Sequence, residues 1–134
     1  MAGYSETPLF KKLGIKTGYS LYVRNAPSDY KELIAPLPED VKLVARLTND
    51  LDLIHFFTKS RNELASHIES FMKYIKSDGM IWISWPKKSS KLDTDLTEDG
   101  IREIILPLGL VDIKVCTVDE VWSGLKVVIR KSIR

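Results

Sequence analysis

The chain holds one cysteine, Cys116, so no disulfide can close within it, and the cysteine and histidine spacings of structural zinc sites are absent. A reducing interior is the expected setting. Glycine and proline are sparse, at seven and six of 134 residues, and no repeat, low-complexity tract or Gly/Ser-rich linker divides the sequence. No apolar stretch approaches the roughly 20 residues that span a bilayer. The opening "MAGYSETPLF" has no basic flank before an apolar run, so a cytoplasmic protein with no membrane association is expected. Charge of one sign is lacking too. Lys and Arg number 20 against 18 Asp and Glu, a net charge of +2, which argues against nucleic acid as a partner. The two histidines stand apart and suggest no metal site.

What is present is the composition of an ordinary globular domain, 44% hydrophobic and 28% charged, and the length fits one domain over residues 1–134. Thr7 and Pro8 read as the N-cap and first turn of a short helix through Leu9, Phe10 and Leu13, stopped by Gly14. "YSLYVRNAP" alternates Tyr19, Leu21 and Val23 as a strand, and Ser28 is placed to cap a brief helix through Tyr30, Leu33 and Ile34. "VKLVARL" puts Val41, Leu43, Ala45 and Leu47 on one face, as suits a strand near a sheet edge. "LDLIHFF" is apolar on both faces apart from His55 and reads as a central parallel strand. His55 is then expected as a hydrogen-bonded core histidine.

Ser60 and Glu63 form a capping box ahead of a helix whose stripe is Leu64, Ala65, Ile68, Phe71, Met72 and Ile75, with His67 at its rim and Gly79 at its close. "MIWISW" is a second central strand, with Trp82 and Trp85 as core. Asp95 or Thr97 can cap a helix buried through Ile101, Ile104, Ile105 and Leu108. The acidic group Asp93, Asp95, Glu98 and Asp99 reads as helix-start chemistry, not paired catalytic carboxylates. "VDIKVCTV" and "GLKVVIRK", joined through "DEVWS", should pair as an antiparallel hairpin, with Trp122 in the connection as either a contact or a plug. Cys116 is placed with Asp112 and Lys114 on one strand face, with no histidine placed to serve as its base.

The resulting order predicts a three-layer, Rossmann-like α/β domain. Its strands fall near 19–24, 41–47, 52–57, 80–85, 111–118 and 124–131. Right-handed crossovers give the spatial order 2-1-3-4-6-5, mostly parallel, with strand 6 alone reversed in a C-terminal hairpin.

One stretch stands out within this scheme. "MIWISWPKKSSK" runs a buried strand directly into proline, lysines and serines. In open α/β sheets ligands settle beyond the carboxyl ends of the strands, near the point where strand order reverses. Trp85, Lys87, Lys88, Ser89 and Ser90 are therefore the candidate anion- or ligand-binding residues, with the helix start near Thr97 adding N–H groups. The expected occupant is a small anionic ligand or a protein partner.

The closing arrangement of strand, helix, strand with a proline loop, helix and hairpin resembles the second half of Rossmann-like S-adenosylmethionine methyltransferases. Across its length, the blocks "MAGYSETPLFKKLGIK", "SWPKKSSKLDTDLTEDGIRE" and "GLVDIKVCTVDEVWSGLKVVIRK" resemble the bacterial DUF3052 family, small proteins without an assigned function. The methyltransferase resemblance implies a glycine-rich turn after the first strand and an acidic residue ending the second. This chain has Asn25-Ala26-Pro27-Ser28 and Leu47-Thr48-Asn49, with Asp50 one step later. The expectation is a non-catalytic binding or regulatory domain of methyltransferase-like fold. The alternative is an enzyme that binds S-adenosylmethionine or a nucleotide through an atypical first loop.

Overall fold

The computed structural model describes residues 7–134. Six strands form one sheet, β1 (Ser20–Arg24), β2 (Lys42–Val44), β3 (Leu51–Phe57), β4 (Ile75–Pro86), β5 (Leu110–Thr117) and β6 (Trp122–Ile129), in the order β2-β1-β3-β4-β6-β5. Pairs from β2 to β4 are parallel, and β6 runs antiparallel to both β4 and β5. Strand order and directions match the expected ones. Four helices flank the sheet: α1 (Leu9–Leu13), α2 (Tyr30–Ile34), α3 (Arg61–Met72) and α4 (Glu98–Ile105).

The unbroken apolar runs explain the two layers of core. In β3 and β4 alternate residues leave opposite faces of the sheet. Ile54, Phe56, Ile81, Ile83 and Trp85 pack under α3 and α4, while Leu53, Phe57, Met80 and Trp82 pack under α1 and α2. Complete burial of Phe56, Phe57 and Phe71 contributes about 1.5–3 kcal/mol for each side chain. Trp82 also donates its indole N–H to the Leu13 carbonyl at 2.9 Å, which fastens α1 to the sheet.

Several boundaries differ from the sequence reading, each for a local reason. Pro8, not Thr7, occupies the N-cap of α1, and Asp29, not Ser28, that of α2; neither supplies a side-chain cap. The strand expected at 41–47 pairs only over Lys42–Val44, at the edge of the sheet, and Leu43 is 37% exposed. Helix α3 ends at Met72. Ile75 and Gly79 belong to β4, where Ile75 pairs with Leu51, so Ile75 continues the apolar pattern from a strand instead of the helix, and Ala65 is exposed. Trp122 opens β6 and is not in the hairpin connection.

The link between β2 and β3 shapes the rest of the molecule. It consists of residues 45–50 and contains no helix. Asp50, at φ 62°, turns the chain into the amino end of β3. It therefore sits at the opposite edge of the sheet from the strand ends where a ligand would be received.

Candidate functional site

Strand order reverses between β1 and β3, and the carboxyl ends of β1, β3 and β4 share one edge of the sheet. Asn25, directly after β1, adopts the left-handed conformation at φ 61°, which an asparagine tolerates better than most side chains. Its carboxamide Nδ2 donates to the Phe57 carbonyl at 3.0 Å and to Glu63 Oε2 at 3.3 Å. The other carboxylate oxygen of Glu63 accepts the Thr58 hydroxyl. Only half of the expected capping box is realised. Ser60 Oγ accepts the Glu63 N–H at 3.1 Å, but the Glu63 carboxylate turns to Thr58 and Asn25, and the Ser60 N–H goes to Thr58 Oγ1 at 3.3 Å. These bonds tie together the ends of β1 and β3 and the start of α3.

A shallow crevice of about 470 Å³ lies over this network, between Asn25, Lys59, Glu63 and Trp122. Trp122 stands edge-on to Phe57, with ring centroids 5.1 Å apart, and so acts as a half-buried plug. Beneath it runs a buried chain of side chains. Tyr30 Oη lies 2.8 Å from His55 Nδ1, and His55 Nε2 lies 2.7 Å from Ser84 Oγ. Burial drives the His55 pKa down to about 3, so the imidazole is neutral, and burial also raises that of Tyr30. All three residues are closed off from solvent, and each polar atom is satisfied. The network is an internal brace.

The larger opening, about 730 Å³, lies beyond β4. Trp85 and Pro86, Lys87 and Lys88, Ser123 of β6, and Thr97 to Asp99 at the start of α4 line it. Both lysines reach this opening even though adjacent residues of an extended chain point apart. The chain leaves β4 at Lys87 and turns at once into a 3-10 turn over Lys88–Ser90, which changes the alternation. The Lys87 N–H, bonded to the Val121 carbonyl at 2.7 Å, anchors the turn to the hairpin. Ser89 and Ser90 do not line the opening. Ser90 Oγ donates to the Lys87 carbonyl at 2.6 Å and accepts from the Leu92 N–H, so it shapes the loop.

On the opposite wall Thr97 caps α4 by accepting the Gly100 N–H at 3.0 Å, while Asp95 accepts the Arg61 N–H at the start of α3. Of the two proposed caps, each serves a different helix. Glu98 and Asp99 are both paired with Arg102, whose Nε also binds Asp112 at 2.9 Å. Among the described residues Lys87 and Lys88 form no ion pair, so the opening carries two ammonium groups without an ion-pair partner, facing carboxylates that share the single guanidinium of Arg102.

The remaining candidates fall outside these openings. His67 is half-buried between the Phe56 and Phe71 rings. Cys116 lies on the other side of the sheet. A bulge between Asp112 and Lys114 turns Asp112 toward Arg102 and separates it from the face shared by Lys114 and Cys116. Burial raises the Cys116 pKa despite Lys12 and Lys114, which opposes thiolate chemistry. Among the described residues no cluster of His, Cys, Asp or Glu could hold a metal, and no helix is long and apolar enough to cross a membrane. Asn25, Thr58 and Glu63 were not legible as a set, because they are separated in sequence and become neighbours only through the β1–β3 pairing.

No family model matches this sequence, and no curated protein does, so the DUF3052 resemblance is not confirmed. Solved structures do match. The chain is similar to the ribosomal protein L11 methylase of Lactobacillus delbrueckii subsp. bulgaricus, with a TM-score of 0.60 and 12% identity over 91% of this chain and 75% of that one. It is similar to magnesium protoporphyrin IX methyltransferase of Synechocystis PCC 6803, with a TM-score of 0.59 and 11% identity over 90% and 74% of the two chains. A possible exported protein from Bordetella parapertussis matches with a TM-score of 0.67 and 10% identity, over 91% and 66%. The fold is that of the Rossmann-like methyltransferases. At these identities the likeness extends to the fold alone.

Proposed function

We propose that this chain is a non-catalytic binding domain of methyltransferase-like fold, which receives a small anionic ligand or an acidic segment of a protein partner in the opening beyond β4. The observation that carries the reading is the bridge at Asn25. At the point where strand order reverses, a bound cofactor would need free backbone N–H groups and room for close approach. Asn25 instead crosses from β1 to the Phe57 carbonyl and Glu63, and Pro27, two residues on, has no N–H to give. Glu63 adds negative charge where the phosphate of a nucleotide would lie. Asp50, the first acid after β2 in sequence, is at the other edge of the sheet.

Lys87 and Lys88 supply the uncommitted positive charge, fixed in place by Pro86 and the Lys87–Val121 bond. Phosphate or sulfate should raise the thermal midpoint of the parent protein. Lys87→Ala/Lys88→Ala should melt close to the parent in the absence of anion, since exposed lysines rarely matter to stability, and should lose the anion-induced rise. Equal stabilisation of both proteins by the anion would remove the site from this loop.

A second reading is favoured by one observation. A cavity of about 550 Å³ lies beside the first loop, between Ala26, Pro27 and Ser28, the end of β2, and Glu32 of α2. An enzyme using S-adenosylmethionine or a nucleotide would place the ligand there and hold ribose hydroxyls on the Glu32 carboxylate. Binding of S-adenosylmethionine distinguishes the two readings.

A further inference from the structure

The net charge of +2 conceals a segregation. Residues 7–28 and 121–134 contain no Asp or Glu, and they carry Lys11, Lys12, Lys16, Arg24, Lys126, Arg130, Lys131 and Arg134. The fold brings part of both segments to one face. Lys114 of β5 stands directly across from Lys126 of β6. Like charges placed opposite one another on neighbouring strands destabilise a sheet. Lys114 Nζ also reaches the Lys12 carbonyl at 3.3 Å, bringing α1 over the same face.

Lys126 is half-buried and pairs on its other side with the buried Trp82. Its pKa is lowered by burial first, and then by Lys114 and Lys16. None of Lys12, Lys16, Lys114 and Lys126 has an ion-pair partner among the described residues; the ion pairs there engage Arg61, Lys76 and Arg102. Asp112, two residues from Lys114, is turned to Arg102 by the bulge. Four ammonium groups are therefore held on one face of the scaffold with no ion-pair partner among the described residues.

We propose that this α1–β5–β6 face binds a run of phosphates, supplied by a nucleic-acid backbone or by a small polyphosphate. The chemistry is selective for phosphate in one respect. Lysine ammoniums act as compact point charges suited to phosphate oxygens, and the four-residue cluster contains no guanidinium fork of the kind that grips planar carboxylates in two-point contact. The ligand would relieve the Lys114–Lys126 repulsion, so binding and stability are coupled through the same pair. The face is separate from Lys87 and Lys88, so either proposal can fail without the other.

The test uses two probes, a fluorescent 20-residue oligouridylate read by anisotropy and inorganic tripolyphosphate read by thermal shift. The proteins are the parent, Lys114→Gln/Lys126→Gln and Lys87→Ala/Lys88→Ala. At about 50 mM salt the parent should bind at least one probe, and for the oligonucleotide four phosphate contacts give a log–log salt slope of about −3. Lys114→Gln/Lys126→Gln should weaken binding roughly tenfold or more and halve that slope, and it should melt at or above the parent temperature without anion. Lys87→Ala/Lys88→Ala should leave the oligonucleotide affinity nearly unchanged. Oligonucleotide binding assigns the phosphates to nucleic acid; tripolyphosphate stabilisation that persists in Lys87→Ala/Lys88→Ala and is lost in Lys114→Gln/Lys126→Gln assigns them to a small ligand, since Lys87 and Lys88 are themselves proposed to take an anion. If the parent binds neither probe, or if Lys114→Gln/Lys126→Gln keeps the parent's oligonucleotide affinity and Lys87→Ala/Lys88→Ala accounts for any tripolyphosphate stabilisation, the proposal is overturned. Should Lys114→Gln/Lys126→Gln fail to fold, Lys12→Gln/Lys16→Gln, on α1 and in the turn after it, must show the same loss.

Discussion

At the scale of single residues, His55 shows what burial does to a titrating group. Its imidazole is held neutral between Tyr30 and Ser84, with the folded pKa depressed from 6.5 to about 3. Between those values the unfolded chain binds a proton that the folded one refuses, so stability rises with pH there. The contribution is complete above 6.5 and is lost as pH falls toward 3, by about 1.4 kcal/mol per pH unit. Urea titrations at neutral pH and at about pH 4.5 should show this loss in the parent. His55→Leu should be less stable at neutral pH, because Tyr30 and Ser84 each lose a buried partner at a cost of about 1–3 kcal/mol. Its stability should also fall less steeply with acid. A variant that keeps the parent's full pH dependence would show that His55 does not carry it. The role of His55 as a bonded core residue could be read from its apolar strand. Its partners could not, because they lie 25 and 29 residues away and meet it only across the folded sheet.

At the scale of elements, patterning located the six strands and four α-helices of the described residues but placed their ends less well, and it missed the 3-10 turn over Lys88–Ser90. Periodicity cannot tell whether Ile75 ends a helix or begins a strand when the apolar spacing fits both, and pairing with Leu51 decides for β4. The cap at Ser60 was legible because its bond is local; the turn of Glu63 toward Asn25 was not, since it depends on a strand end from another part of the chain. Close packing sets a further test. Gly124 of β6 lies against the buried Trp82, and a Cβ there would stand 3.1 Å from Val118 Cγ2 and 3.2 Å from Trp82 Cε3. Gly124→Val should therefore overpack this layer and cost about 1–3 kcal/mol, with Gly124→Ala costing less. Differential scanning calorimetry ranks the two, and a valine variant as stable as the parent would mean that the layer under α1 is looser than its contacts indicate.

At the scale of the whole molecule, topology was more legible than site. Apolar runs without alternation mark β3 and β4 as central, the alternating hairpin marks β5 and β6, and crossover handedness does the rest. The opening beyond β4 was found through the abrupt change at Pro86, but sequence could not show that Ser90 folds back on Lys87 or that Arg102 pairs with Glu98 and Asp99. Nor could it show that the absence of glycine after β1 is accompanied by a physical bridge across the strand ends. In the function proposed, that bridge separates the fold from the chemistry its structural neighbours are named for. Isothermal titration of the purified protein with S-adenosylmethionine and with S-adenosylhomocysteine tests this most directly. The account predicts no heat of binding from either. Binding of either at micromolar affinity would contradict it and establish the cavity beside Ala26 and Glu32 as a cofactor site.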